Sequence, residues 1–215
     1  MAGIADLSLF PPADRESLPF GISLGIALSP AILEEIDGGP TAGYHAEYRA
    51  VNERLAILAQ GVQSFLEERG FRAFSGQPTV GEDETTVSTL LPHKTVATRA
   101  GLGWIGKCAL LVTRSFGSAV RLVTVLTDAP LLPGEPVEVS RCGACTFCVD
   151  ACPAGAVTGE EWRPGSNRES LFDAHACRNT ARELSFKAFG EHVSICGRCI
   201  VSCPFTKRYL SRCHE

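Results

Sequence analysis

Four cysteines stand in one run, Cys142-Gly-Ala-Cys145-Thr-Phe-Cys148-Val-Asp-Ala-Cys152-Pro153. No other feature constrains the chain as much. In the spacing C-x2-C-x2-C-x3-C-P, the first three thiolates wrap one corner of a cuboidal iron–sulfur cluster. The fourth, followed by proline, is directed away to a second cluster. A segment with this spacing folds around metal and points to one-electron chemistry.

A second group follows, Cys196-Gly-Arg-Cys199-Ile-Val-Ser-Cys203-Pro204. It has one cysteine fewer than the first run, and Cys177 upstream completes the count for two four-iron clusters. Bacterial ferredoxin topology crosses the two runs, each Cys-Pro thiol reaching over to the other cluster. That topology assigns Cys142, Cys145, Cys148 and Cys203 to one cluster. Cys152, Cys177, Cys196 and Cys199 go to the other. Structural zinc is the alternative, but it favours two separated cysteine pairs, and a third cysteine three residues on suits it poorly. Cys108 reads as a buried thiol opening a strand, with a ligand or redox role as the alternative. Cys213 reads as incidental.

The rest of the composition narrows the context. A net charge of −4 gives no electrostatic footprint for nucleic acid. The start, Met1-Ala-Gly-Ile-Ala-Asp-Leu-Ser, has no basic segment followed by an apolar stretch, and no apolar run reaches membrane-spanning length. A cytoplasmic protein is expected, with no membrane partner. In that compartment many cysteines mean metal rather than disulfides.

Cysteine is absent from the first 107 residues. The proline-punctuated stretch Asp128-Ala-Pro130-Leu-Leu-Pro133-Gly-Glu-Pro136 continues neither a helix nor a central strand. The expected division is therefore 1–135 and 136–215. In the first part, Gly21 to Ser29 reads as a buried strand. Ser29-Pro30 opens a short helix to about Ile36. A long helix follows from about Thr41 to Arg69, with an apolar stripe of Tyr44, Tyr48, Val51, Leu55, Leu58, Val62 and Phe65. Gly70 stops it, and Phe71 to Phe74 reads as a strand. A further helix covers His93 to Ala100, and Ala109–Thr113 with Ala119–Leu126 read as a hairpin. Without regular βαβ alternation, the expected class is α+β. In the second part, Asp150 to Val157 and Leu171 to Phe189 read as helical.

Gly101-Leu-Gly103-Trp-Ile-Gly106-Lys107 matches both G-x-G-x-x-G and G-x-x-x-x-G-K. Nucleotide loops follow a strand and open a helix, whereas this one follows a helix and opens a strand. Close backbone approach at the glycines, the flat face of Trp104 and the charges of Lys94, Arg99 and Lys107 point instead to an anionic or amide-rich cofactor. A tight helix-to-strand turn with Trp104 in the core is the alternative.

Leu91-Pro-His-Lys-Thr-Val-Ala-Thr-Arg-Ala-Gly-Leu-Gly-Trp-Ile-Gly-Lys107, Phe116-Gly-Ser118, Leu126-Thr-Asp128 and the double cysteine set, in this order, resemble the epoxyqueuosine reductase family. That family is related to the corrinoid reductive dehalogenases. The resemblance implies a nitroreductase-like, cobalamin-binding type of α+β domain followed by a ferredoxin-like double-cluster domain. It also implies two 4Fe–4S clusters, a cobalamin, and Gly101, Gly103, Trp104, Gly106 and Lys107 beside the corrin. The chain departs from the family at its D-x-x-P acid, where Ser88-Thr89-Leu90-Leu91-Pro92 places Thr89. Glu82, Asp83 and Glu84 lie upstream. It also ends eleven residues after Pro204, without C-terminal tRNA-gripping repeats. tRNA is therefore not an expected partner.

The expected function is an iron–sulfur oxidoreductase, supplied by a ferredoxin- or flavodoxin-type donor. It would deliver electrons to cobalamin or to a substrate in the first domain. Tyr44, His45 and Tyr48 are candidate helpers there, with packing roles as their alternative. The alternative function is a non-enzymatic carrier or reductive activator of a partner, such as a corrinoid protein.

Overall fold

The computed structural model describes residues 1–78, 89 and 91–212. Its elements run β1 (Ala2–Asp6), β2 (Phe20–Ala27), α1 (Pro30–Glu34), α2 (Ala42–Glu67), β3 (Ala73–Ser75), α3 (His93–Arg99), β4 (Trp104–Ile105), β5 (Leu111–Val112), β6 (Val120–Thr127), α4 (Phe147–Asp150), α5 (Arg168–Leu171), α6 (Ala174–Phe189), α7 (Arg198–Ser202) and α8 (Pro204–Ser211). The class is α+β. The chain packs as two compact units, neither of them continuous. One holds Met1–Ile26, Ala50–Gly103 and Arg121–Val137; the other holds Ala27–Arg49, Trp104–Val120 and Glu138–Glu215. One seam, after Val137, falls near the expected boundary at 135/136. The unit that carries the cysteine runs also takes in two segments from the part before that boundary.

The first unit is built on a four-stranded sheet of order β1-β2-β6-β3. β1 and β2 are antiparallel with Ile4 opposite Ile22, and β3 and β6 are antiparallel with Phe74 opposite Leu126. Ala5, Leu7, Leu18, Val96, Ala100 and Leu126 form a buried cluster, so α3 packs its Val96–Ala100 face on the sheet. Gly21 permits this approach, because a Cβ there would lie 2.8 Å from both Leu7 and Val96 side-chain atoms.

The long helix forms as expected, but its buried stripe is different. Val51, Leu55, Ala59 and Leu66 are buried, whereas Leu58 and Phe65 are 50% and 52% exposed. The sequence reading preferred bulky residues and passed over Ala59, which is what shifted the stripe by one position. The Arg69 guanidinium lies 3.5 Å from the Phe65 ring centroid and covers it. Gly70, at φ +83°, closes the helix with the Gly70 N–H on Glu67 and the Phe71 N–H on the Leu66 carbonyl.

The expected hairpin does not form. β5 pairs with β4, Trp104 opposite Val112, while β6 enters the four-stranded sheet. Both runs are β-rich, but the Gly106–Ala109 turn closes the earlier pair first. The Gly106 N–H bonds the Leu110 carbonyl, the Ala109 N–H bonds the Gly106 carbonyl, and Ala109 sits at φ +58°. The single helix expected over Leu171–Phe189 is two, because Asp173 caps α6 by accepting from the Ala176 N–H at 2.9 Å.

His93 gives the first unit a pH dependence. Its Nε2 meets the Gln77 carbonyl at 2.8 Å and its Nδ1 the Thr124 hydroxyl at 2.9 Å. A carbonyl only accepts, so the neutral ring carries its proton on Nε2 and its Nδ1 accepts from the Thr124 hydroxyl. Burial, offset in part by the Gln77 bond, holds its pKa below the ordinary 6.5. As pH falls below 6.5 the unfolded chain takes up this proton before the folded one does, and stability declines. Between pH 7.5 and 5.5, the urea midpoint of the parent protein should therefore fall more steeply than that of His93→Gln. Parallel slopes would contradict this.

Candidate iron–sulfur centre

The cysteines lie in the second unit, on short helices and tight turns beside small apolar clusters. α4 carries Cys148, α7 carries Cys199, and each follows a loop that presents the preceding cysteines. Pro204 opens α8 directly after Cys203, with φ suited to a first helical position. Cys177 lies in the first turn of α6. The nine described cysteines are all free thiols.

Cys142, Cys145, Cys148 and Cys203 line one cavity of about 190 Å³, together with Lys107, Cys108, Val112, Pro204 and Phe205. One water needs only about 10–15 Å³, so the space suits a group of many atoms. Among the described residues, no three His, Cys, Asp or Glu side chains converge tightly enough to hold a single ion. Thiols set apart around a roomy, mostly apolar cavity match a cuboidal cluster better than a closed zinc site, whose ligands meet at one point. The donor set therefore fits iron–sulfur.

Three of the remaining thiols, Cys152, Cys177 and Cys196, form a second neighbourhood. Burial, then the nearby Cys152 and Cys196 thiols, push Cys177 up to about 11. Burial and Cys152 push Cys196 up in the same way. Cys199 and Cys152 pack against the small core of Cys108, Cys148 and Val157. Cys177 thus lies near two of the three thiols with which the sequence reading grouped it. Like charges crowded together raise pKa values until a cation arrives to hold the thiolates, and iron supplies that charge. The Ala156 N–H reaches Cys152 Sγ at 3.3 Å, and the Thr206 and Phe205 backbone lowers Cys203 against a larger upward effect of burial.

The glycine segment divides. Gly101, at φ +77°, is exposed, and a Cβ there would lie 2.7 Å from the Glu135 carbonyl oxygen. Gly103, Trp104, Gly106 and Lys107 are buried. Trp104 is 1% exposed and packs edge-on against Phe205 at 5.0 Å. A Cβ at Gly106 would lie 2.7 Å from Val112 Cγ2 and 3.5 Å from the sulfurs of Cys108 and Cys142. The Lys107 ammonium donates to the Gly143 carbonyl at 2.7 Å, inside the loop between Cys142 and Cys145. Sequence reasoning assigned Lys107 to a cofactor of the first domain and Cys108 to a core. Both line the thiol cavity. The only sequence signal for this was their position next to a glycine that permits close approach.

Of the candidate helpers, Tyr44 is buried beside Gly197, and His45 stacks on Phe189 at 5.2 Å with Glu191 3.9 Å from its Nδ1. Tyr48 is half-buried, and Thr89 is exposed. Cys213, Glu82, Asp83 and Glu84 lie outside the described residues.

Phe116-Gly-Ser118 now has a physical reason. A Cβ on Gly117, at φ +58°, would overlap the backbone nitrogen and hydroxyl of Thr206, and the Ser118 N–H donates to that hydroxyl at 3.1 Å. This contact seats the start of α8, and with it Cys203. Gly117→Ala should destabilise the protein by about 2 kcal/mol or more and lower its iron content. Thermal unfolding and iron analysis check this. An unchanged Tm with full iron would contradict it.

Comparison with known proteins agrees with this geometry. A model of the 4Fe–4S double cluster binding domain matches residues 141–206. The epoxyqueuosine reductase of Listeria monocytogenes is 31% identical over 176 residues, 81% of this chain and 42% of the relative. That of Pseudomonas aeruginosa is 29% identical over 160 residues, 74% of this chain and 41% of the relative. The chain thus spans about two fifths of the curated relatives it matches. Among solved structures, a reductive dehalogenase described for B12-dependent dehalogenation superposes with a TM-score of 0.71 at 17% identity, covering 96% of this chain and 30% of that one. An epoxyqueuosine reductase bound to an epoxyqueuosine-modified tRNA stem loop superposes at 0.58 and 21%, covering 96% and 61%. These two likenesses concern the fold. No described helix is long and apolar enough to cross a membrane.

Proposed function

We propose that this chain, which resembles the epoxyqueuosine reductases in sequence and shares a fold with the reductive dehalogenases, is an iron–sulfur oxidoreductase that reduces a corrinoid or a substrate bound by its N-terminal part. The observation that carries this reading is the cavity lined by Cys142, Cys145, Cys148 and Cys203 beside a buried ammonium. In this reading residues 136–215 carry the clusters, the residues before them carry the acceptor, and the protein works in the cytoplasm.

Two 4Fe–4S clusters, when bound, supply stepwise one-electron transfer from a ferredoxin- or flavodoxin-type donor. The residues of the chain prepare for this. Cys142, Cys145, Cys148 and Cys203 hold one cluster, and Cys152, Cys177, Cys196 and Cys199 hold the other. Val112, Pro204 and Phe205 give the first set an apolar wall. The case for cobalamin rests on the family resemblance and on the B12-dependent chemistry named for a neighbour of the same fold. Of the five residues assigned to the corrin, Gly101 alone is exposed, so a corrinoid that approaches this segment meets its backbone there. A tRNA carrying epoxyqueuosine stays among the substrates to test, because one neighbour is solved with such a stem loop. The other reading is electron delivery to a separate corrinoid protein.

Two experiments test the proposal. Anaerobically prepared Cys177→Ala should keep about half the iron of the parent, since it loses one of two four-iron sets. Full iron in that variant would remove Cys177 from the ligands. Titration of the parent with cobalamin should change the corrin spectrum. A protein that carries both clusters and leaves that spectrum untouched would favour delivery to a partner protein.

A further inference from the structure

The Gly106–Ala109 turn sends two consecutive side chains into the thiol cavity, and neither belongs to the eight assigned ligands. Lys107 is 7% exposed. Its ammonium has three hydrogens to donate, and its one polar partner among the described residues is the Gly143 carbonyl. Burying an ammonium costs several kcal/mol unless an opposite charge faces it. The side chains that line the cavity with Lys107 are thiols, proline, valine and phenylalanine, with no carboxylate among them. The cavity is therefore built for an anion. Four thiolates around an iron–sulfur core carry net negative charge.

Cys108 adds a second, weaker device. It is 7% exposed and packs against Cys148 of one ligand set and Cys199 of the other. Once those two are metal-bound thiolates, the Cys108 thiol is left as a donor between them, and hydrogen bonds to ligand sulfur raise a cluster's potential.

We propose that the turn between β4 and β5 is a potential-setting arm. Lys107 supplies a fixed positive charge that holds the transferred electron on the Cys142, Cys145, Cys148 and Cys203 cluster in preference to the other, and Cys108 supplies an S–H donor placed between the two ligand sets. The inference rests on the two-cluster reading above. It adds a direction to the relay: an added electron makes a cluster more negative, and among the described residues Lys107 is the one buried lysine, lining the cavity of the Cys142 set.

The test is a redox titration of anaerobically prepared protein with dithionite as reductant, followed by electron paramagnetic resonance. The signal retained in Cys177→Ala identifies the Cys142 cluster. Lys107→Met, with full iron, should disfavour reduction of that cluster at least tenfold, about 59 mV for one electron, and leave the other cluster within a few-fold. Lys107→Arg keeps the charge and should restore the parent potential. Cys108→Ala should make both clusters harder to reduce, each by a smaller factor than Lys107→Met gives the first. Unchanged potentials in Lys107→Met, or equal shifts of both clusters in that variant, would overturn the proposal. If Lys107→Met loses iron, Lys107→Arg and Cys108→Ala carry the test, and parent-like potentials in Cys108→Ala would then overturn the proposal. Iron below four-fifths in Cys108→Ala would make Cys108 a ligand and also overturn it. A parent protein without clusters would instead remove the reading on which the inference rests.

Discussion

Four thiols and one ammonium are gathered around a single apolar cavity, and the second unit is organised to keep them there. Such a set is unfavourable by itself. The thiols resist ionising together, and the ammonium has given up most of its water for one carbonyl at 2.7 Å. A cluster relieves both problems at once, because iron neutralises the thiolates and the remaining negative charge faces Lys107. Metal binding is then part of the folding free energy of this unit, as for other small metal-tied folds. The short lengths of α4 and α7 are consistent with that, since helices of one turn gain little from their own hydrogen bonds.

This requirement also explains why the units are interleaved. The β4–β5 pair lies between two stretches of the sheet-bearing unit in the sequence, yet it packs with the cysteine runs. Its turn delivers Lys107 and Cys108, and its Val112 closes the cavity wall. Gly106 leaves space for Cys142, and Gly117 leaves space for Thr206 at the start of α8. The motifs that link this chain to its relatives are thus positions where the backbone must come very close to the ligand loops.

Much of the cysteine arrangement was legible because spacing is a direct statement about geometry. Three thiols within two helical turns, then a Cys-Pro, leave few ways to wrap a cluster. Helix boundaries at Pro30, Gly70 and Gly101 were legible for the same local reason, with proline and glycine restricting φ. Partner choice was not. Whether Leu111 pairs with Trp104 or with the run at Val120 depends on which turn closes, and both runs have equal strand character. The buried stripe of α2 was misplaced because Ala59 carries little hydrophobic weight while filling its position fully. The place of Lys107 in the wall of the thiol cavity was not legible either, because its burial follows only from the three-dimensional course of the turn.

The central claim is that this chain holds two four-iron clusters on the two crossed cysteine sets. Iron and acid-labile sulfide analysis of anaerobically purified protein, joined to Mössbauer spectroscopy, tests it most directly. The account predicts about eight irons and eight sulfides per chain, all in cuboidal 4Fe–4S environments. A colourless protein containing zinc, or one with iron for a single cluster, would contradict it.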